Sequence, residues 1–144
     1  MKVHLPGWMW SVAGCVLLAG SCAEGNDEAF HLLVCGEDRV FILDAATSEG
    51  ERVNRIWQWQ VSDLASQIPE AYQQYLPPVN DCKPVEMNGK CSILVTGGRA
   101  VVMLDRDTKQ CLFYACTPNS HSVELLPDNR VVVALSIAEG GNSL

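Results

Sequence analysis

The sequence predicts an all-β fold assembled from a repeated unit of four short antiparallel strands. Its clearest stretch is residues 92–116, where three apolar runs are separated by two polar turns, Gly97-Gly98 and Asp105-Arg106-Asp107. Short runs of β-branched, aliphatic and aromatic residues bounded by Gly and Asp clusters are typical of strands and turns. Two internal repeats are the other observations that predict this fold.

The first repeat relates residues 31–47 to residues 92–108, an offset of 61, without gaps. Seven of the 17 aligned positions are identical. The identities include turn residues as well as apolar ones, namely Gly36/Gly97, Asp44/Asp105 and Thr47/Thr108. Glycine, aspartate and threonine at matching turns indicate a true repeat, since any two strands share apolar residues. A further strand with aromatic residues follows each copy.

The second repeat relates residues 81–90 to residues 121–130, an offset of 40. Each copy reads as a short strand, a tight turn and the start of an apolar strand. A four-strand repeat of roughly 40 residues is the period of a β-propeller blade. The predicted fold is therefore a β-propeller built of four-stranded antiparallel blades, here about two and a half blades. A β-sandwich with coincidental self-similarity is the alternative.

The predicted domain organisation has three parts. Residues 1–22 form a lipoprotein signal peptide, 23–30 an acidic tether, and 31–144 a partial propeller. With the strands of a blade lettered a to d, the propeller divides into strands b–d of blade 1 at 31–60, a helical insertion at 61–80, blade 2 at 81–116, and strands a–b of blade 3 at 121–144.

The N-terminus has the pattern of a secretory signal peptide. Lys2 precedes an apolar stretch over residues 5–20, and small residues lead to Cys22. The stretch is shorter than the roughly 20 residues of a membrane span. The residues before Cys22 resemble the lipobox of bacterial lipoproteins, which implies lipidation of Cys22 and attachment to a membrane surface. Cys15 also has a lipobox pattern, but it leaves a shorter apolar core. A soluble secreted chain and an uncleaved anchor remain alternatives.

Composition argues against several classes of function. The chain has 10 Lys and Arg against 17 Asp and Glu, a formal charge of −7, and it has no basic run. Nucleic-acid binding needs clustered basic residues, so no nucleic-acid partner is predicted. The seven cysteines form neither a CxxC motif nor a cluster with histidine. The sequence therefore predicts no metal site and no cofactor.

The stretch from Asp81 to Ser136, which contains DCKPVEMNGKCSILVTGG, VVMLD and CLFYACTPNSHSVELLPDNRVVVALS, resembles a known family. It is an uncharacterised family of Gram-negative secreted and lipid-anchored proteins with a propeller-like domain of unknown function. The resemblance covers residues 31–144. It implies an outer-membrane lipoprotein, periplasmic or surface-exposed, in the cell envelope of a Gram-negative bacterium. Family members are longer, which implies that this chain is an N-terminal fragment or a truncated product. The resemblance implies no activity.

In a propeller, the loops joining strand d to the next strand a, and strand b to strand c, emerge on one face, the default binding surface. The candidate catalytic residue there is His121, as a general base or a ligand contact. Its alternative role is to fix the neighbouring turn by hydrogen bonding. The predicted ligand-binding residues are Asp81, Lys83, Asn119, His121, Arg39 and Arg99. Trp57 and Trp59 share a strand face and serve either as a sugar-stacking platform or as packing between blades.

Three functional hypotheses follow. The first is a lipid-anchored extracytoplasmic propeller that binds a glycan or a protein without catalysis. The second is a propeller-fold polysaccharide lyase or hydrolase with His121 as base. The chain lacks the paired carboxylates and metal-ligand spacing that such chemistry favours. The third is a fragment without function on its own, since two and a half blades cannot close a ring and leave open sheet edges.

Overall fold

The computed structural model describes residues 17–18, 31–49 and 52–136. These residues are mostly β-structure, so the all-β prediction is confirmed. The strands are β1 (Leu17–Leu18), β2 (His31–Gly36), β3 (Arg39–Glu49), β4 (Arg52–Gln60), β5 (Val79–Met87), β6 (Lys90–Gly97), β7 (Ala100–Asp105), β8 (Cys111–Cys116), β9 (Ser120–Leu125) and β10 (Val131–Leu135). A 3-10 helix (Val61–Leu64) and a short helix α1 (Glu70–Gln73) lie between β4 and β5. No helix in these ranges is long and apolar enough to cross a membrane.

The strands form three antiparallel sheets, none of them closed. The first sheet has the order β1-β2-β3-β4, the second β5-β6-β7-β8, and the third contains β9 and β10. Leu17 and Leu18, inside the predicted signal peptide, pair with Leu33 and Leu32 of β2. The edge of β2 carries unpaired backbone groups, and a short apolar strand satisfies part of that edge.

The repeat between the first and second sheets extends to the hydrogen-bonding register. Adding 61 to each residue number of the β2–β3 ladder gives the β6–β7 ladder. The end pairs are His31–Asp44 and Ser92–Asp105, then Gly36–Arg39 and Gly97–Ala100. Both sheets also have an irregularity at the same place in the next ladder, beside Ile56 and Leu112, which are exposed in both cases. Bulges re-aim side chains and are built into a fold, so their repetition supports a common unit.

The second repeat has an offset of 41 in strand a, not the predicted 40. The β5–β6 ladder skips Asn80, and the β9–β10 ladder skips His121. Asn80 and His121 therefore occupy equivalent bulge positions, and Asp81 corresponds to Ser122. The gapless alignment missed the offset of 41 because it matched the turns that follow β5 and β9 and not the strands themselves. The β9–β10 turn is three residues shorter than the β5–β6 turn, since the offset is 41 before the turn and 38 after it, where Val132 corresponds to Leu94.

Successive sheets are joined by the same backbone hydrogen bonds. The Val79 amide donates to the Glu37 carbonyl at 2.6 Å, and the equivalent Ser120 amide donates to the Gly98 carbonyl at 3.0 Å. A second pair joins the end of each last strand to the same turns, Val61 to Asp38 at 2.9 Å and Thr117 to Arg99 at 2.8 Å. The turns of one sheet thus hold the first strand of the next sheet in place.

The second sheet is buried on both faces. One face packs on the first sheet in a core of fourteen buried residues: Leu33, Cys35, Val40, Trp59, Val61, Leu64, Leu76, Val79, Cys82, Ile93, Val95, Ala100, Val102 and Leu104. The other face, with Leu94, Val101 and Met103, packs on Val123 of the third sheet. Burial on both sides explains why β6 and β7 are apolar almost without alternation.

The two tryptophans of β4 belong to this interface. Trp59 is 1% exposed and lies in the core between the first and second sheets. Trp57 packs against the same core, and its indole Nε1 donates to the Arg106 carbonyl at 2.7 Å. Of the two roles considered for this pair, the structure supports packing between sheets.

The insertion between the first two sheets is anchored by buried leucines and by close backbone contact. Leu64 and Leu76 are fully buried. The backbone of residues 76–78 lies directly on the β6–β7 turn, so that an ideal Cβ on Gly97 would lie 1.8 Å from the Leu76 carbonyl oxygen. Gly36, the equivalent residue of the first sheet, has open space around its Cβ position. Only the second sheet therefore requires glycine here for close approach.

Gly97→Ala is expected to destabilise the protein by more than about 2 kcal/mol, because the insertion backbone must move away from the new methyl group. The matched control, Gly36→Ala, is expected to change the free energy of unfolding by less than about 1 kcal/mol. Urea unfolding of both variants measures the difference. Equal unfolding midpoints would contradict the close contact between the insertion and Gly97.

Candidate functional site

The polar candidate site is a row of side-chain contacts between β5 and β9, which we call the polar seam. It has three rungs along the two strands. The Asn80 amide donates to the Ser120 carbonyl at 2.8 Å, the Ser122 hydroxyl donates to Asp81 at 2.8 Å, and Lys83 forms an ion pair with Glu124. The seam joins the first strand of the second sheet to the first strand of the third.

Asp81 is the buried centre of the seam, with 4% of its surface exposed. Its Oδ2 accepts hydrogen bonds from the Ser122 hydroxyl and, at 3.2 Å, from the Val123 amide. Its Oδ1 is buried and has no hydrogen-bond partner among the residues that the structure describes. A buried carboxylate oxygen of this kind is a strong acceptor, so Asp81 can receive a further donor.

Lys83 lies two residues further along β5, where the seam meets solvent. Its side chain is 22% exposed, and the Glu124 side chain is 58% exposed. An ion pair this open to water contributes little to stability, because hydration and salt screening offset most of the attraction. Lys83 therefore neutralises Glu124 at the outer end of the seam and is not a free cation for a ligand.

His121 lies at the bulge beside the seam, and its side chain is exposed. A general base needs a partner that orients its imidazole. Within residues 31–45 and 53–136, no carboxylate hydrogen-bonds to His121, and no group of three His, Cys, Asp or Glu residues can hold a metal ion.

The other predicted residues are not part of the seam. Arg39 pairs with Asp38 at 3.1 Å on the β2–β3 turn. Arg99 lies on the β6–β7 turn with its guanidinium 5.2 Å from the ring centre of Tyr75. Asn119 holds its own turn, because its side-chain amide donates to the Ser136 carbonyl at 3.0 Å. The predicted lipidation residue Cys22 lies outside the described ranges.

An aromatic cluster beside the β6–β7 turn was not predicted from the sequence. Tyr72 of α1 lies 6.2 Å from Tyr75 and 6.1 Å from Tyr114 of β8, ring centre to ring centre. The Tyr114 hydroxyl donates to the Tyr72 carbonyl at 2.7 Å, and burial raises the pKa of Tyr114. Tyr72 itself is 43% exposed. The only signal in the sequence was the spacing of Tyr72 and Tyr75 at one helical turn.

The polar seam was predicted only in part. Asp81, Lys83 and His121 were predicted as ligand-binding residues, but their partners Ser122 and Glu124 were not. An offset of 40 aligns Asp81 with His121, so it does not show that Asp81 faces Ser122 across the two strands. The offset of 41 along β5 and β9 brings the Asp81 carboxylate to the Ser122 hydroxyl.

Asp81→Ala is expected to destabilise the fold by about 1–3 kcal/mol, because the Ser122 hydroxyl and the Val123 amide lose a buried acceptor. Lys83→Ala, on the same strand, is the matched control and is expected to cost less than about 1 kcal/mol. Chemical denaturation of the two variants at neutral pH measures both values. A cost for Lys83→Ala as large as that for Asp81→Ala would show that the seam depends on its exposed ion pair instead.

Comparison with known proteins identifies a family of unknown function. Residues 23–143 match the model of a protein family described as a family of unknown function (DUF6528). No curated protein and no solved structure matches the chain. The match covers most of the sequence, including every strand from β2 to β10. The chain therefore belongs to this family of unknown function.

Proposed function

We propose that the protein is a lipid-anchored extracytoplasmic β-propeller that acts as a binding scaffold, and that its ligand is a glycan. The observation that carries the proposal is the repeated relation between sheets. The joint formed by Val79 and Glu37 recurs as the joint formed by Ser120 and Gly98. A ring of blades requires the same geometric relation between each blade and the next, and two equivalent joints support that relation.

The outer faces of the first and third sheets carry residues suited to packing against further sheets. The partly exposed face of the first sheet carries Leu32, Val34, Phe41 and Leu43, which are equivalent to the buried Ile93, Val95, Val102 and Leu104 of the second sheet. On the third sheet, the exposed Val132 is equivalent to the buried Leu94. Both outer faces therefore carry apolar residues at positions that a neighbouring sheet covers in the second sheet. An experimental structure whose three sheets share no common rotation axis would exclude the propeller.

The proposed binding surface is the end of the sheets that carries the β2–β3 and β6–β7 turns and the insertion. Tyr72 offers an exposed ring there, supported from behind by Tyr75 and Tyr114. Arg99 stacks on Tyr75 and is exposed for hydrogen bonding. A rigid aromatic ring beside a guanidinium suits a sugar, which has an apolar ring face and hydroxyl groups at its edge.

The anchor is proposed from the sequence pattern before Cys22. Lipidation of Cys22 would attach the chain to the outer membrane of a Gram-negative cell and leave residues 23–30 as an acidic tether. Cleavage before Cys22 would also remove Leu17 and Leu18 and so free the edge of β2. In the mature protein, that edge would be available to another strand.

Expression of the full chain in a Gram-negative host with radiolabelled palmitate is expected to give a labelled protein in the outer-membrane fraction. Cys22→Ser is expected to abolish labelling, because the acylated thiol is lost. Cys15→Ser is the matched control and should label normally. Labelling that depends on Cys15, or its absence from the wild type, would contradict the proposed anchor.

The proposed ligand class is tested by affinity electrophoresis of the full chain in gels that contain soluble polysaccharides. We expect retardation in at least one gel without release of new reducing ends. Tyr72→Ala is expected to weaken binding about tenfold, equivalent to about 1.4 kcal/mol of lost stacking.

The matched control is Phe113→Ala, since Phe113 is similarly exposed but lies on β8 in the middle of a strand. His121→Ala should leave product formation at zero, as in the wild type. If reducing ends appear with the wild type and disappear in His121→Ala, the protein is instead a lyase or hydrolase. Absence of retardation in every gel would refute the glycan ligand.

A further inference from the structure

Two buried cysteines face each other across the interface between the first and second sheets. Cys35 of β2 and Cys82 of β5 are each 2% exposed and belong to the same core. Cys35 pairs with Val40 in its sheet, and Cys82 pairs with Val95 in the next. All four residues lie in this core, so both cysteines point into the interface from opposite sides.

The two strands approach closely at this point. The hydrogen bond from the Val79 amide to the Glu37 carbonyl joins the sheets two residues from Cys35 and three residues from Cys82. The Cys82 thiol hydrogen-bonds to Cys35, which lowers the pKa of Cys35 against the opposing effects of burial and of the Asp81 carboxylate. Neither cysteine is part of a disulfide in this structure. Side-chain contact between two cysteines on facing strands of two packed sheets is an arrangement from which a disulfide can form.

The next interface shows that packing does not need this pair. At the equivalent positions, the second and third sheets carry Thr96 and Val123, both buried. The backbone joint there is the same as in the first interface. An interface of this kind can therefore form without cysteines. Cys35 and Cys82 give the first interface two thiols that can react with each other.

The geometry points to a disulfide between Cys35 and Cys82 that links the first and second sheets when the chain folds in an oxidising compartment. The Cys35 thiolate attacks a small-molecule or enzyme disulfide and releases one thiol. The Cys82 thiolate then attacks the Cys35 sulfur of the mixed disulfide and releases the second thiol. Two cysteine thiols are oxidised, one donor disulfide is reduced to two thiols, and the two protons remain with these products.

The proposed bond closes a loop of about fifty residues that includes β3, β4 and the insertion, and loops of this length lose much entropy in the unfolded chain. The oxidising compartment follows from the proposed function, but the pairing itself does not depend on it. Since both thiols are buried in the folded protein, oxidation takes place during folding.

The test is thiol mapping of the full chain. Reduced, denatured protein is refolded in a buffer of reduced and oxidised glutathione, and free thiols are blocked in denaturant with one alkylating reagent. The disulfides are then reduced and labelled with a reagent of different mass. We expect the second label on Cys35 and Cys82 and the first on the other five cysteines, Cys15, Cys22, Cys91, Cys111 and Cys116. Reduction should lower the unfolding midpoint of the oxidised protein by roughly 5 °C or more.

Two variants serve as controls. Cys91→Ser should keep the shift in unfolding midpoint on reduction, whereas Cys35→Ser should lose it and expose Cys82 to the first label. The first label on both Cys35 and Cys82 of the refolded wild type would overturn the proposal, as would pairing of either with another cysteine. Protein exported with its own signal is mapped in parallel. Free thiols only in that sample would contradict the extracytoplasmic location and leave the disulfide standing.

Discussion

Burial of the second sheet on both faces is the constraint on which the rest of the structure depends. A strand buried on both sides must be apolar at nearly every position, and β6 and β7 satisfy this condition with aliphatic residues. Packing two sheets on opposite faces of a third also fixes where the connecting segments run. The turns between strands therefore meet the first strand of the next sheet, where backbone hydrogen bonds join them.

The candidate site follows from the same arrangement. Because β5 and β9 are the first strands of successive sheets, they lie side by side, and the polar residues along them face one another. Asp81 becomes buried because the third sheet covers it, and Ser122 satisfies one of its oxygens. The aromatic cluster has a similar origin, since the insertion folds back on the β6–β7 turn and brings Tyr72 to Tyr114. The side chains of both clusters are positioned by the scaffold and not by their neighbours in sequence.

Turn residues made the repeat visible in the sequence, whereas a difference in turn length hid its detail. The shared Gly36 and Gly97 indicated one unit in two copies, and the hydrogen-bonding register agrees with that alignment residue by residue. The offset of 40 in the second repeat was wrong by one residue in the first strand, because the turn that follows is three residues shorter in the β9–β10 hairpin than in the β5–β6 hairpin, and a gapless alignment cannot allow for that difference. The two glycines also differ in a way that no pattern shows. The insertion lies against Gly97 and leaves Gly36 free, and this depends on the path of residues 76–78.

The sequence by itself determined the strands, their grouping into repeated units and the position of the insertion. These features depend on local chemistry, on alternation between apolar runs and turn-forming residues, and so can be read along the chain. Only the tertiary structure decided which residues face each other across the sheets. It placed the tryptophans of β4 in the core, paired Asp81 with Ser122, and brought Cys35 to Cys82. The Asp81–Ser122 and Cys35–Cys82 contacts join residues 41 and 47 positions apart, and they depend on how one sheet packs on the next, which no local pattern encodes.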